Sequence, residues 1–175
     1  MADLSGKKVV MIIASRNFRD EEFQEPYNLL KESGAEVTVA SSSLETAHGM
    51  LGATAKPDIL IGDINVADYD AVIFVGGSGS SEYFDDPTAH KIAQEAASSG
   101  KVLCAICIAP STLANAGVLK GKKATAFASE AGNLRAKGAN YTGAGVEIDG
   151  NIITADGPGS AAQFAKAIAD ALAAK

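Results

Sequence analysis

The sequence predicts an α/β fold with a mostly parallel central sheet and helices on both of its faces. Short apolar runs rich in β-branched residues alternate along the chain with longer helical segments, and such runs are typical of strands that are covered on both sides. Glycines and prolines separate the segments. Because strands that alternate with helices join in parallel, the helices divide between the two faces. The 175 residues fit a single domain, 1–175, without an internal repeat or linker.

The predicted elements follow from local patterns along the chain. The first strand is the apolar run 9–13, and a helix of about 19–33 follows, in which Pro26 predicts a kink or a late start. Residues 43–68 contain scattered glycines and predict a small β excursion. The remaining predicted elements are strand 36–40, strand 71–75, helix 87–98, strand 102–106, a helix from Pro110 to about 117, strand 124–127, a hairpin of 146–148 and 151–154 around Asp149-Gly150, and a last helix near Ser160 with Gln163 placed for a capping box.

Composition and charge argue against several classes of protein. Hydrophobic residues make up 47% of the chain, which excludes a disordered protein. The net charge of −6 argues against a general affinity for nucleic acid or anionic membranes. The apolar run 9–14 is too short for a signal peptide or a membrane span. Two cysteines provide no disulfide framework, so we expect a reducing, cytoplasmic location.

One cysteine occupies the pattern of a nucleophile elbow. Cys107 follows a predicted strand and precedes a predicted helix, with the small residues Ala105 and Ala109 at positions −2 and +2. A tight strand-to-helix turn needs small residues there. The elbow predicts a positive φ at Cys107, exposure of its thiol, and a thiolate favoured by the helix N-terminus. The alternative is a buried structural cysteine, which is how we interpret Cys104 inside the strand.

Two other interpretations of the cysteine pair are weaker. Cys104 and Cys107 form a C-x-x-C pattern, which also occurs at thioredoxin-like redox sites. Such sites normally expose the first cysteine, whereas here the second one reaches the turn. A structural zinc site needs four ligands, and the only histidines are the distant His48 and His90, so no metal is predicted.

Two groups could assist Cys107. The Gly76-Gly77 pair directly follows a strand, and glycines there let backbone amides approach a ligand closely, so the amides of Gly77 and Ile108 could form an oxyanion hole. A simple tight turn explains the glycine pair equally well. The acidic run 20–22 opens the first helix, where carboxylates favour the helix N-terminus. One of these carboxyls could instead face the cysteine, where burial would keep it protonated.

Four parts of the chain carry a resemblance to a known family. They are NFRDEEFQEPY at 17–27 with LKESGAEV at 30–37, YDAVIFVGG at 69–77, AICIAP at 105–110, and DGN at 149–151 with GPG at 157–159. In order, they resemble the first helix and second strand, glycine-pair strand, cysteine elbow and closing segments of the ThiJ/PfpI family, in the class I glutamine amidotransferase-like superfamily. The resemblance implies a flavodoxin-like three-layer sandwich, usually dimeric. It also implies that Glu22 is the carboxyl beside Cys107.

The sequence departs from this family where a catalytic histidine would stand. PfpI-like proteases carry histidine directly after the cysteine, and this chain has Ile108 there. Another branch has a histidine in the strand after the elbow helix, where this chain has Phe127. Thiol-based hydrolysis usually needs such a base, so peptidase activity is not expected. In PfpI-like members an acidic residue of the neighbouring subunit approaches the site, and Glu82 occupies roughly that place. The resemblance implies a homodimer or a higher homo-oligomer.

The resemblance implies two competing functions. The first is a stress-response enzyme that acts on small reactive carbonyls, either as a glyoxalase that converts methylglyoxal to lactate or as a deglycase. In it, Cys107 adds to the aldehyde and Glu22 shuttles a proton, without a metal or organic cofactor. The second is a non-catalytic redox sensor that works through oxidation of Cys107 and needs no histidine. A PfpI-type intracellular cysteine peptidase ranks last.

Overall fold

The structure is a computed structural model that describes residues 2–175. Its strands are β1 (Lys8–Ile12), β2 (Arg16–Phe18), β3 (Glu36–Ser41), β4 (Ala47–Gly49), β5 (Thr54–Ala55), β6 (Ile59–Leu60), β7 (Ala71–Phe74), β8 (Val102–Ile106), β9 (Lys123–Ala124), β10 (Asn140–Tyr141), β11 (Val146–Asp149) and β12 (Ile152–Ala155). Its α-helices are α1 (Asp20–Glu32), α2 (Pro87–Ser98), α3 (Pro110–Asn115), α4 (Ala131–Ala136) and α5 (Ala161–Ala173).

A seven-stranded sheet with the order β11-β12-β8-β7-β1-β3-β6 forms the centre of the molecule. Every neighbouring pair is parallel except β11 and β12, which form an antiparallel hairpin across Gly150-Asn151. Gly150 has a φ of 60°, a left-handed conformation that suits glycine in a two-residue hairpin loop. The predicted mostly parallel sheet and its closing hairpin are therefore confirmed.

Alternate residues of the central strands contribute to two separate hydrophobic layers. In β1, Val9 and Met11 belong to the cluster that includes side chains of α1 and α5, whereas Val10 and Ile12 belong to the cluster that includes side chains of α2 and α3. This alternation reflects the two-residue period of a strand, and both faces are apolar because both are covered. The result is three layers, helix–sheet–helix.

The first helix differs from its prediction. It begins at Asp20 and continues to Glu32 through Pro26, so the expectation of a late start is wrong. Proline lacks an amide hydrogen, so the usual helical hydrogen bond from position 26 to the backbone carbonyl of Glu22, four residues earlier, cannot form. Packing compensates for this loss, since Phe23, Pro26 and Leu30 are all buried.

Two further local predictions are wrong because of side-chain contacts. The strand predicted at 124–127 ends at Ala124, since the amide of Thr125 donates to the hydroxyl of Thr154 at 3.0 Å. The capping box predicted at Ser160 does not form, because the Ser160 hydroxyl donates to Asp156 at 2.6 Å. The hydroxyl groups of Thr154 and Ser160 thus form hydrogen bonds with partners that the predicted strand and capping box do not include.

The irregular segment after β3 contributes a small β excursion, as predicted. Strands β2, β4 and β5 form a separate three-stranded sheet. The buried carboxylate of Asp20 anchors the turn between β4 and β5 by accepting the amides of Leu51 at 2.9 Å and Ala53 at 2.8 Å. Within residues 2–175, no helix combines the length and apolar character required to span a membrane.

Candidate active site

Three loops meet at the carboxyl ends of the neighbouring strands β1, β7 and β8. The chain after β7 packs directly on the segment after β1, because the amide of Arg19 donates to the carbonyl of Gly76 at 2.9 Å. A side-chain carbon on Gly77 would overlap the Arg19 amide nitrogen, so only glycine allows this approach. Carboxyl edges of parallel sheets commonly bind ligands, and the candidate residues lie along this edge.

Cys107 occupies the predicted sharp turn after β8. Its φ of 65° confirms the positive value expected for the elbow, a conformation that costs a non-glycine residue about 1–3 kcal/mol. Two backbone bonds hold it: its amide donates to the Ala155 carbonyl at 2.9 Å, and its carbonyl accepts the Phe127 amide at 2.7 Å. Only 9% of Cys107 is exposed, so the prediction of an exposed thiol is wrong. Cys104, in β8, is fully buried.

The Glu22 carboxyl lies against Cys107 and is fully buried. A side-chain carbon on Gly76 would overlap the Glu22 Oε1 atom and would lie 2.6 Å from the Cys107 Cβ atom. The two side chains therefore share the space that a missing side chain at Gly76 leaves open. Within residues 2–175, neither Glu22 oxygen has an aligned hydrogen-bond partner, although the Cys107 thiol and the Gly76 amide are near enough to favour the carboxylate. A buried carboxyl without such a partner is costly to ionise.

Burial dominates the ionisation of both side chains. It raises the pKa of Glu22 to about 8, against a smaller opposing contribution from Cys107. Burial, followed by the negative charge of Glu22, raises the pKa of Cys107 to about 12. The net shift is therefore opposite in direction to the stabilisation of the thiolate expected at the helix N-terminus, because loss of solvent is its largest cause. At neutral pH Glu22 is mostly protonated, which removes its charge from beside the sulfur.

The backbone amides of Gly77 and Ile108 oppose this effect of burial. Both interact with the Cys107 sulfur and lower the pKa of the thiol. Gly77 adopts a φ of 103°, a left-handed conformation that side chains rarely adopt. Donors that favour a negative sulfur could also favour a negative oxygen formed beside it, so their role as an oxyanion hole stays a prediction.

The other residues considered from the sequence lie apart from this pair or remain untested. The Glu82 carboxylate accepts the Ser15 amide at 3.2 Å within its own chain, and its approach to a partner's site stays a prediction. The His90 ring nitrogen lies 2.7 Å from the Phe84 carbonyl oxygen. His48 is exposed in β4.

Sequence reasoning missed two features of the site. Asn17 has a φ of 61°, and a side-chain carbon on Gly77 would overlap its carbonyl oxygen. Asparagine tolerates this conformation, which is the one signal in the sequence. The second feature is a hydrogen bond of 2.7 Å from the Ser111 hydroxyl to the Glu130 carboxylate, which connects the elbow helix to the loop that carries Phe127. No local pattern indicates it, because the partners are 19 residues apart.

Comparisons with known proteins agree with this architecture. An uncharacterized protein of Methanocaldococcus jannaschii is 42% identical over 165 residues, covering 93% of this chain and 80% of its own. A deglycase of Pyrococcus abyssi is 33% identical over 150 residues, covering 86% and 90%. The crystal structure of a ThiJ/PfpI domain protein from Brachyspira murdochii has a TM-score of 0.94 at 30% identity, covering 97% and 99%. This likeness confirms the flavodoxin-like three-layer sandwich. Because the model of the DJ-1/PfpI family matches residues 7–171, this chain belongs to that family.

Proposed function

We propose that this protein is a cysteine-dependent stress-response enzyme that acts on small reactive carbonyls, of the glyoxalase or deglycase type. The observation that carries the proposal is the buried carboxyl of Glu22 beside the elbow thiol of Cys107, where it can exchange protons near neutral pH. The name of the Pyrococcus abyssi relative, a deglycase, supports the same class of substrate.

The first step adds the thiol to the carbonyl. The Cys107 sulfur forms a bond to the aldehyde carbon, and the electron pair of the carbonyl double bond moves to oxygen. The amides of Gly77 and Ile108 stabilise the charge that develops on this oxygen. The thiol proton passes through Glu22 to the same oxygen, which leaves a neutral hemithioacetal.

The second step converts a 2-oxoaldehyde into a 2-hydroxy acid. Glu22, as a carboxylate, removes the hydrogen from the carbon bonded to sulfur as a proton and returns it to the neighbouring carbon, while the proton of the hemithioacetal hydroxyl moves to the former ketone oxygen. One carbon is oxidised and its neighbour is reduced, so no external oxidant is consumed. The product is a thioester, and water then cleaves its carbon–sulfur bond and restores the thiol. With a pKa of about 8, Glu22 can both accept and donate this proton.

Lactate formation from methylglyoxal tests the proposal. We expect Cys107→Ser and Glu22→Gln each to lower kcat/KM by at least about 100-fold, because one removes the nucleophile and the other removes proton transfer. Cys104→Ala is the matched control, since Cys104 is buried in β8, and its activity should remain near that of wild type. No lactate from the wild type, or undiminished activity of Cys107→Ser, would contradict the proposal.

A second candidate function is redox sensing through Cys107. The observation in its favour is that Ile108 and Phe127 stand where histidines would serve a catalytic cysteine, while oxidation of a thiol needs no histidine. A protonated Glu22 could also donate a hydrogen bond to an oxidised sulfur.

Mild peroxide should oxidise Cys107 selectively. Cys104 is fully buried in β8, and burial raises the pKa of its thiol well above the usual value, whereas Cys107 retains 9% exposure and has two backbone amides that offset part of the effect of burial on its pKa. Peptide mass spectrometry should find two added oxygens on Cys107 and none on Cys104. Equal modification of both cysteines, or a disulfide between them as the main product, would instead support the C-x-x-C interpretation.

We further propose that the protein acts in the cytoplasm as a homodimer. Both cysteines are free, which suits a reducing compartment. Light scattering of the purified protein tests the assembly, and a monomer would remove Glu82 from any catalytic role. Peptidase activity remains the least supported function, because the residues beside Cys107 include no histidine at positions 108 or 127.

A further inference from the structure

The two sides of Cys107 differ in chemical character. On the β7 side lie the Gly76-Gly77 backbone and the buried Glu22 carboxyl. On the β12 side lies Gly157, whose missing side-chain carbon would be 3.6 Å from a ring carbon of Phe127. The Phe127 residue is 47% exposed, although its amide is bonded to the Cys107 carbonyl. Phe127 is therefore joined to the nucleophile residue through its backbone, and its exposed ring lies against Gly157, on the β12 side of Cys107 and not on the side of the carboxyl.

A series of hydrogen bonds connects Phe127 with Cys107 at one end and with α3 at the other. The Cys107 carbonyl accepts the Phe127 amide at 2.7 Å, and the Phe127 carbonyl accepts the Glu130 amide at 2.8 Å. The Glu130 carboxylate accepts the hydroxyl of Ser111 at 2.7 Å and that of Ser129 at 2.8 Å. Ser111 is buried in α3, the helix that follows the elbow. The loop that carries the ring is thus joined at Phe127 to the elbow residue Cys107 and at Glu130 to α3, the helix that follows the elbow.

We propose that Phe127 is a specificity-determining residue, and that the preferred substrates are carbonyls bearing an aryl or bulky alkyl group. This inference rests on the proposed function. The carbonyl oxygen must face the amides of Gly77 and Ile108, so the substituent on the other side points towards Phe127 and Gly157. Contact with an apolar substituent removes ring surface from water and adds packing that a methyl group cannot supply. Ser111 and Glu130 are positioning residues in this arrangement.

The ratio of kcat/KM for phenylglyoxal to that for methylglyoxal tests the inference. Phe127→Ala should lower this ratio about fivefold, a modest factor because the ring is half exposed, while Phe127→Leu should retain part of it. Comparison of ratios cancels both the intrinsic reactivity of each aldehyde and any general loss of active protein. Ile148→Ala, which removes a similarly exposed apolar side chain from β11, should leave the ratio unchanged.

Two substitutions of Glu130 test its role in positioning Phe127. Glu130→Ala removes both acceptors of the serine hydroxyls and should lower the same ratio, whereas Glu130→Gln keeps an acceptor for Ser111 and should restore most of it. A merely structural role would lower both rates together and leave their ratio intact. That result would remove Glu130 from the proposal.

Alkylation of Cys107 separates this inference from the proposed function. In the reaction with 2-bromoacetophenone or bromoacetone, the sulfur forms a bond to carbon, bromide leaves with the electron pair, and the thiol proton passes to buffer. The ratio of the aryl rate to the methyl rate should also fall about fivefold in Phe127→Ala. No 2-hydroxy acid from either aldehyde, with this shift still present, would overturn the proposed function and support the inference. Unchanged ratios in both assays would overturn the inference.

Discussion

The wild-type protein should lose stability between pH 5 and pH 8, and Glu22→Gln should remove most of that loss. The folded-state pKa of Glu22 is about 8, whereas an unfolded glutamate has its usual value of 4.5. Between these values the native state holds one more proton than the unfolded state, so the free energy of unfolding falls as pH rises. The slope approaches about 1.4 kcal/mol per pH unit, on the order of 4 kcal/mol over the whole window.

Denaturant unfolding at several pH values measures this effect. Glutamine resembles the protonated carboxyl and cannot ionise, so the variant should be close to wild type at pH 5 and more stable at pH 8. Glu21→Gln is a matched control on the same helix, because the hydrogen bond from Arg19 lowers the pKa of Glu21 and gives it the opposite pH dependence. A flat profile for the wild type would show that Glu22 ionises without cost and would contradict its predicted protonation at neutral pH.

Gly76→Ala should disable the site and destabilise the protein. The new methyl group would overlap the Glu22 Oε1 atom and would lie 2.6 Å from both the Cys107 Cβ atom and the Ile106 carbonyl oxygen. A backbone oxygen cannot rotate away, so the strand ends must separate. We expect a loss of about 1–3 kcal/mol in stability and at least about 100-fold in kcat/KM, since the acid and the nucleophile would be displaced together.

Gly62→Ala is the control for this substitution. Gly62 has no atom within 4 Å of a would-be side-chain carbon, and it does not adopt the left-handed conformation that would strain alanine. Its stability and activity should therefore match those of the wild type. Thermal unfolding measures the stability of each variant against the wild type, and lactate formation measures its activity. A Gly76→Ala protein with normal turnover would show that Glu22 and Cys107 need not share this space.

The amino-acid sequence determined the features that depend on neighbouring residues. Runs of β-branched residues, separated by glycines and prolines, were enough to predict β1, β3, β7 and β8 of the parallel sheet, although not its edge strand β6. Pro87 was enough to predict where α2 begins. The small residues around Cys107, together with a strand before it and a helix after it, distinguished the elbow cysteine from Cys104. The place of Glu22 beside the thiol came from the family resemblance, because the residues alone favour the helix N-terminus as the explanation of the acidic run.

Only the tertiary structure decided how these residues behave. The pKa values of Glu22 and Cys107 depend mainly on the loss of solvent, which depends on packing by strands and helices from distant parts of the chain. The bond between Ser111 and Glu130, and the exposed ring that it helps to position, likewise join segments far apart in sequence. A local pattern shows which side chains are available for chemistry. Tertiary packing decides the dielectric environment of each side chain and the groups that it contacts.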